Sequence, residues 1–319
     1  MLKKVIDIIL KAKNIGITFH QSPDGDSLGS SLALLQGLLK VGKKAYIISK
    51  EELPKDFEFL PYSKEVNTKN NFPNEETDLV IALDCGNVDR LNGDLSIENK
   101  KFTLINLDHH ISNDRYGDIN YIDTKCAAVG EIVFELLKTM SIEIDKDIAT
   151  CLYTALLTDT GSFKYSNTTK NTHYIAGELI QTGFDFSEIH RTLFENISIN
   201  RLKLQGDIIN NIDLQFNGKV CSMTLTLDNL KKHGLDSGDT SDIISIGTKI
   251  SSVEVTILLK EFENGTKVSL RSKSYVDVRK IAEIYDGGGH VKASGFKSEL
   301  SINEIKPELL RLIEKELVK

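Results

Sequence analysis

Paired cysteines and long apolar stretches are both missing from this sequence. Its four cysteines include no CxxC pair, which excludes a disulfide framework and a zinc-ribbon spacing and indicates reduced thiols. No stretch approaches the roughly 18–20 uninterrupted apolar residues of a membrane helix. The N-terminal segment has Asp7 within its short apolar stretch and lacks a small-residue cleavage site, which favours an amphipathic first helix over a signal peptide. We therefore expect a cytoplasmic protein without membrane association.

An excess of basic charge is also missing. The 39 Lys and Arg residues are outnumbered by 46 Asp and Glu residues, which gives a net charge of −7. A protein that coats long nucleic acid usually carries a basic footprint, so we do not expect long duplex nucleic acid as a partner. The balance is reversed locally, because residues 265–297 contain seven Lys and Arg against three acids. A solvated basic face and a site for a small anion or short oligonucleotide explain this segment equally well.

Strand-like and helix-like patterns alternate through the first half of the chain. Helical spacing extends over residues 28–43 and stops near Gly42, and helical patterns dominate again from about 127 to 204. The apolar runs of strand length are residues 15–20, 45–49, 79–84 and 102–108. This alternation predicts an α/β fold with a mostly parallel sheet and helices on its faces.

The character of the sequence changes after about Val220. Strand-like stretches meet at Asn264-Gly265, a strong hairpin signal because this pair readily adopts positive φ angles. A helical segment, a glycine triplet and a C-terminal helix follow. The length of 319 residues favours about two domains. We predict an N-terminal α/β domain, a helical linker and a smaller α+β domain, over residues 1–187, 188–214 and 215–319.

Acids and histidines follow three of the predicted strands directly. Because ligands bind outside the carboxyl ends of parallel strands, these side chains should meet at one edge of the sheet. Pro23 and Gly25 force a turn in the first segment, and Asp159 follows a helical pattern from which it can join the others. The residues concerned are His20, Asp24, Asp26, Asp84, Asp108, His109, His110 and Asp159.

Each of these residues alone has an ordinary explanation, and Asp26 is more readily a helix N-cap. Their concentration favours a metal site, because five carboxylates buried together without cations would repel one another strongly. Mn²⁺ and Mg²⁺ favour oxygen ligands, and Mn²⁺ accepts imidazole more readily. Two such ions about 3.5–4 Å apart can clamp the attacking and leaving oxygens of a phosphoryl displacement. The segments provide enough ligands for two ions, if one carboxylate is shared.

The short motifs around these residues form a recognisable set. They are His20-x-x-x-Asp24-x-Asp26, the LDCG around Asp84, Asp108-His109-His110, and the LLTDTGSF that ends at Phe163. In this order they resemble the four motifs of the DHH phosphoesterase superfamily. The GGGHVKASGF at 287–296 resembles the GGGH motif of the associated substrate-binding domain, DHHA1. The DHHISNDRYGDINYID stretch is similar to the nanoRNase and pAp phosphatase subgroup at Asn113, Tyr116, Gly117 and Asn120.

The resemblance implies two Mn²⁺ ions, with Mg²⁺ as the alternative. The first ion would take His20, Asp24 and Asp84, and the second would take Asp26, Asp84, His109 and Asp159. Asp84 would then be the bridging ligand. His110 would stabilise the transition state or donate a proton to the leaving group, and Asp108 would orient a histidine.

The same resemblance assigns substrate binding to the second domain. Arg271, Gly288, Gly289 and His290 would contact the terminal phosphate of the substrate, since glycine amides can present N–H groups to an anion. A glycine triplet alone is more often just a turn. Arg115 is a further candidate, and its ordinary explanation is a surface arginine. Two departures from the family pattern, Asp286 and Ser294, leave every metal ligand in place but can alter what this domain holds.

For function, the resemblance implies hydrolysis of short oligoribonucleotides to 5′-mononucleotides and of 3′-phosphoadenosine 5′-phosphate (pAp) to AMP. A phosphodiesterase for cyclic di-AMP or its linear product pApA is the main alternative, since it shares the motifs. A family II inorganic pyrophosphatase shares the metal motifs but lacks the GGGH ending. A non-catalytic nucleotide-binding module would require the loss of metal ligands, and none is lost. The expected partners are short RNA, pAp or pApA, with a homodimer as one option for assembly.

Overall fold

The computed structural model describes residues 2–236 and 241–317, which form two compact units divided between Asn196 and Ile197. This division falls inside the segment predicted as a linker, and the domain limits given above stay predictions. Within the described ranges, no helix is long and apolar enough to cross a membrane.

A five-stranded parallel sheet forms the centre of the first unit. Its strands are β1 (Asn14–Thr18), β2 (Lys44–Ile47), β3 (Leu79–Leu83), β4 (Thr103–Asp108) and β5 (Ile119–Ile122). They lie in the order β2-β1-β3-β4-β5, and each neighbouring pair is parallel. All residues of β3 are buried, as expected for a parallel sheet covered on both faces. The predicted parallel sheet is confirmed.

Helices pack around this sheet. They are α1 (Leu2–Lys11), α2 (Gly25–Lys40), α3 (Val129–Thr139), α4 (Lys146–Asp159), α5 (Lys170–Ile180) and α6 (Phe186–His190), the last followed by a π-helix (Arg191–Glu195). Helix α2 begins earlier than predicted, because Asp24 accepts a hydrogen bond from the amide of Ser27 and caps it. Helices α2 and α4 approach so closely that a Cβ on Gly29 would lie 2.3 Å from the carbonyl oxygen of Cys151.

The second unit is built on a mixed sheet. Its strands are β6 (Asp213–Gln215), β7 (Val220–Leu225), β8 (Val255–Phe262), β9 (Gly265–Ser272), β10 (Gly288–His290) and β11 (Ala293–Ser298). Their order is β10-β11-β9-β8-β7-β6, with β7 and β8 parallel and the other neighbours antiparallel. Its helices are α7 (Ile199–Asn210), α8 (Leu227–Lys232), α9 (Ser241–Thr248), α10 (Val278–Glu283) and α11 (Ile302–Leu317). Helices α10 and α11 pack on one face of the sheet, and α7 to α9 pack on the other face beside β7 and β8.

The predicted hairpin joins β8 to β9, and of the pair Asn264-Gly265 only the glycine has a positive φ. The connection is Glu263-Asn264, and Gly265 has a φ of +141° as the first residue of β9. A Cβ on Gly265 would lie 2.0 Å from the carbonyl oxygen of Ser298. The glycine is therefore required by the close approach of the neighbouring chain as well as by its φ angle.

The surroundings of two helical glycines predict opposite effects of substitution by alanine. Gly29→Ala should lower the free energy of unfolding by about 1–3 kcal/mol, because the new methyl group meets a backbone oxygen. Gly177→Ala should raise it by about 0.5–1 kcal/mol, because this position of α5 faces open space and alanine is the better helix former. Urea denaturation of both variants measures the difference. Equal shifts in the two variants would contradict the packing described.

Candidate active site

The segment after β1 brings His20 and Asp24 to the edge of the sheet. His20 makes an isolated antiparallel bridge with Leu91, which fixes its backbone. Its Nδ1 lies 2.9 Å from the carbonyl oxygen of Gln21, so this nitrogen carries the hydrogen that the carbonyl accepts. Nε2 then faces two carboxylates, at 3.6 Å from Asp24 Oδ1 and 3.4 Å from Asp84 Oδ2.

Asp84, directly after β3, lies at the centre of the cluster. Its φ of +52° is left-handed, a conformation that costs a non-glycine residue about 1–2 kcal/mol and that is concentrated at functional sites. The side chain is buried, and its Oδ1 has no hydrogen-bond partner among the described residues. Oδ1 lies 3.6 Å from His109 Nε2, while Oδ2 faces His20. The two oxygens of one carboxylate therefore face histidines from two different segments.

Asp26 does not cap its own helix, as its sequence position alone suggested. It is fully buried and caps α3 instead, accepting hydrogen bonds from the amides of Val129 at 2.7 Å and Gly130 at 2.9 Å. The natural cap position of α3 is Ala128, which has no side chain able to do this. Ser30 also donates to Oδ1 of Asp26 at 2.9 Å. Oδ1 thus has two donors and Oδ2 has one, which leaves Oδ2 able to bind a cation.

His109 and Asp159 complete the cluster from β4 and α4. The Nδ1 of His109 lies 3.1 Å from the carbonyl oxygen of Cys126, which turns Nε2 towards the acids. Nε2 lies 3.4 Å from Asp159 Oδ2 and 4.0 Å from Asp26 Oδ2. Asp159 is the last residue of α4, and Asn167 donates to its carbonyl oxygen at 3.0 Å.

The ligand atoms lie close enough together to hold cations. Atoms within 4.8 Å of one another form three groups: His20, Asp24 and Asp84; Asp26, His109 and Asp159; and Asp84, Asp108, His109 and His110. All of them are carboxylate oxygens or imidazole nitrogens, the set that suits Mn²⁺ and related divalent ions. The buried Oδ1 of Asp84, without a protein donor, also fits a metal ligand. The six predicted ligands are thus brought together.

Burial and mutual repulsion shift the protonation of these groups. Burial disfavours a charged imidazole, but the hydrogen bonds to Asp24 and Asp84 outweigh it and raise the pKa of His20 to about 11. The surrounding carboxylates similarly overcome burial and raise the pKa of His109 to about 9. Burial raises the pKa of Asp159 to about 7. In the absence of cations, the cluster therefore retains protons that balance its acids.

His110 and Asp108 form a pair beside these ligands. Asp108 is fully buried, and its Oδ1 lies 2.8 Å from His110 Nδ1. Burial disfavours a charged imidazole, but the hydrogen bond to Asp108 outweighs this effect and raises the pKa of His110. The same bond lowers the pKa of Asp108 against the effect of burial. His110 therefore favours the protonated form, with Nε2 on the side of the ring away from Asp108.

Sequence reasoning missed Asn106, a fully buried amide in β4. It lies beside Ala82 in the parallel register and donates to the carbonyl oxygen of Cys85 at 3.2 Å. The available signal was a single asparagine inside an otherwise apolar strand, since a buried amide requires partners.

The second unit places its predicted substrate residues on the side of the sheet opposite α10 and α11. Ala293 pairs with Arg271 on one side and with His290 on the other, so the three occupy one cross-strand row. Arg271 is half-buried and His290 is exposed. Gly289 has a φ of +134°, and a Cβ there would lie 2.5 Å from the carbonyl oxygen of Ala293. Gly288 pairs with Gly295, so neither strand carries a side chain at that position of the pairing.

A second basic row crosses the same face. Lys267 pairs with Lys260 on β8 and with Lys297 on β11. Lys267 and Lys297 are exposed, whereas Lys260 is buried. Because side chains alternate along a strand, Lys267 shares the face of Arg271, four residues or about 14 Å away. Directly opposed like charges are destabilising in a sheet, so such a row favours an anionic ligand.

Arg115 lies in the first unit, on the loop that follows His110. It is exposed and has a φ of +54°, stabilised by a hydrogen bond from its amide to Asn113 Oδ1 at 2.7 Å. The predicted substrate residues are therefore divided between the two units.

Comparison with known proteins agrees with this architecture. Residues 14–156 match the model of the DHH family, N-terminal domain, and residues 217–319 match that of the DHHA1 domain. A bifunctional oligoribonuclease and PAP phosphatase of Thermus thermophilus is 32% identical over 99% of this chain and 94% of its own. A probable bifunctional oligoribonuclease and PAP phosphatase of Streptococcus mutans is 33% identical over 98% of both chains.

A solved structure also matches nearly the whole chain. The exopolyphosphatase-related protein of Bacteroides fragilis superposes with a TM-score of 0.90 and 27% identity, over 99% of this chain and 95% of that one. The matching domains, the full-length relatives and the shared fold agree with the motifs at the sheet edge. The chain therefore belongs to the DHH family and is a phosphoesterase, an enzyme that hydrolyses phosphoester bonds, with a DHH domain followed by a DHHA1 domain.

Proposed function

We propose that this enzyme uses two Mn²⁺ ions to hydrolyse short oligoribonucleotides to 5′-mononucleotides and to dephosphorylate pAp to AMP. The observation that supports it most directly is Asp84, whose two oxygens face two different histidines, Oδ2 facing His20 and Oδ1 facing His109. The Thermus thermophilus and Streptococcus mutans relatives are named for both activities.

The ligand set divides around Asp84. One ion would take His20, Asp24 and Asp84, and the other would take Asp26, Asp84, His109 and Asp159. Counting hydrogen bonds supports this division, since Asp84 Oδ1 has no protein donor and Asp26 retains capacity on Oδ2 alone. When bound, two such cations lower the pKa of a water molecule and stabilise charge on the phosphoryl group.

His110 would supply the proton that the leaving group needs. Its Nδ1 is bonded to Asp108, and its raised pKa favours the protonated ring. Nε2–H can then donate to the departing 3′-oxygen of an oligonucleotide, which would otherwise leave as an unstable alkoxide. Asp108 keeps the ring in this orientation and stabilises its charge.

The basic residues on one face of the sheet in the second unit support a substrate with several phosphates. Arg271 and His290, with the glycines of β10, would bind one terminal phosphate. Lys267 and Lys297 lie about 14 Å further along the strands, a separation that one phosphate group cannot bridge. The second basic row therefore favours a short oligonucleotide as a substrate, in addition to the small nucleotide pAp.

A substrate panel tests this proposal. We expect kcat/KM with Mn²⁺ to be highest for a five-nucleotide RNA and pAp, lower for pApA and lowest for cyclic di-AMP. The KM of the RNA should rise more steeply with salt than that of pAp, because more phosphate contacts are screened. Fast cleavage of cyclic di-AMP beside slow turnover of every linear substrate would overturn the proposal.

The double variant Lys267→Ala/Lys297→Ala examines the basic row within the same panel. Its KM for the five-nucleotide RNA should rise by about tenfold, while its KM for pAp should change less than about twofold, because only the RNA reaches the second row. Lys280→Ala is the matched control, since Lys280 is an exposed lysine on α10, which packs on the opposite face of the sheet. An equal change in KM for both substrates would show that these two lysines do not bind the additional phosphates of the RNA.

Metal binding should depend strongly on pH. His20 and His109 carry protons at neutral pH, with pKa values of about 11 and 9, and each must lose its proton to bind a cation. Apparent Mn²⁺ affinity should therefore rise with pH, about tenfold per unit for each proton released. Calorimetry between pH 6 and 8, in buffers of different ionisation enthalpy, counts those protons. A flat affinity over this range, with no protons released, would contradict the raised pKa values.

A further inference from the structure

A buried polar network connects the ends of β3 and β4 without using any of the proposed metal ligands. Asn106 lies in β4 at full burial, in register with Ala82 of β3. Its Nδ2 lies 3.2 Å from the carbonyl oxygen of Cys85 and 3.1 Å from the hydroxyl of Tyr116. Tyr116 also donates to the Cys85 carbonyl oxygen at 2.9 Å. This carbonyl directly follows Asp84, so the network holds the backbone at that left-handed residue.

Asn113 joins this network to Asp108, the acid that is hydrogen-bonded to His110. Its Nδ2 donates to Asp108 Oδ2 at 2.5 Å and to Asn106 Oδ1 at 2.7 Å. Its Oδ1 accepts the amide of Arg115 at 2.7 Å, which fixes the orientation of the Asn113 amide. Asp108 Oδ2 is thereby occupied, and Oδ1 is directed to His110 Nδ1 at 2.8 Å.

Only an amide satisfies these partners together. Oδ2 of Asp108 and Oδ1 of Asn106 each accept a hydrogen bond from Asn113 Nδ2, and the Arg115 amide requires an acceptor. A carboxylate at position 113 would repel Asp108, and an aliphatic side chain would leave buried groups without partners, each at about 1–3 kcal/mol.

We propose that Asn113 is a positioning residue for proton transfer, acting through Asp108 on His110. It does not touch the reacting atoms. It keeps Asp108 aligned with His110 Nδ1, so that Nε2–H is directed at the oxygen of the leaving group. Asn106 connects the same amide to the backbone after Asp84, which couples the orientation of the proton donor to the metal ligands. This inference rests on the proposed role of His110 as proton donor.

The leaving group provides the test. A five-nucleotide RNA expels an alkoxide that needs a proton, whereas the p-nitrophenyl ester of a nucleoside 5′-phosphate expels a phenolate that does not. Asn113→Ala should lower kcat on the RNA by about 10–100-fold, a part of what general acid catalysis supplies, and on the ester by less than about threefold. KM and the Mn²⁺ content should stay within about twofold of the parent enzyme. Asn87→Ala is the control, because Asn87 donates a hydrogen bond to Asp114, the residue directly after Asn113, and not to Asp108.

A double-mutant cycle with His110→Ala completes the experiment. If Asn113 acts through His110, then His110→Ala/Asn113→Ala should be no slower on the RNA than His110→Ala alone. The inference would be overturned if the kcat losses of the two single variants multiplied in the double variant. An equal loss of kcat on the RNA and on the ester in Asn113→Ala would also overturn it. If the alanine variant loses metal, Asn113→Ser replaces it, with the same pattern expected because one hydroxyl cannot donate to both partners. Equal losses on both substrates in His110→Ala would refute the proton-donor role itself, a result separate from the coupling of the two residues.

Discussion

Repulsion among buried carboxylates is the constraint on which the rest of this structure depends. The carboxyl ends of β1, β3 and β4, together with the end of α4, bring five aspartates and three histidines to one edge of the sheet. The protein moderates this charge with groups that are fixed before any cation binds. The amides at the start of α3 bind Asp26, and protonated imidazoles lie between the acids. Divalent cations, if bound as proposed, would provide the remaining neutralisation and the Lewis acidity that phosphoester hydrolysis uses.

The same constraint explains the unusual backbone at Asp84. A residue in ordinary strand geometry would direct its side chain to one face of the sheet, whereas the left-handed turn directs it beyond the strand end, between two histidine segments. The strain of about 1–2 kcal/mol would be offset if this carboxylate were shared between two cations, as proposed. Hydrogen bonds from Tyr116 and Asn106 to the following carbonyl group hold the strained residue in place.

Sequence was a good guide to this site where function follows local pattern. Strand-length apolar runs that end in Asp or His predicted the parallel sheet, and the strand-end rule placed their side chains together. It failed where a partner lies far along the chain. The ordinary explanation of Asp26, taken alone, was an N-cap of the helix that follows it, yet Asp26 lies within α2 and caps α3, more than 100 residues away. Asn113 was recognised only as a position that matches the subgroup, and its hydrogen bonds to Asn106 and Asp108 depend on how the loop after β4 folds. The close approach of Ser298 to Gly265 also joins residues that are distant in sequence.

One shared carboxylate is the central claim, and electron paramagnetic resonance of the Mn²⁺-loaded enzyme tests it most directly. The parent enzyme should bind two Mn²⁺ per chain, with a signal of exchange-coupled ions. Asp84→Asn keeps the shape but loses the charge that bridges them, so it should bind at most one uncoupled ion and lose at least about 100-fold in kcat. Asp94→Asn, an exposed carboxylate paired with Lys50, should match the parent. Two coupled ions and full activity in Asp84→Asn would contradict the account.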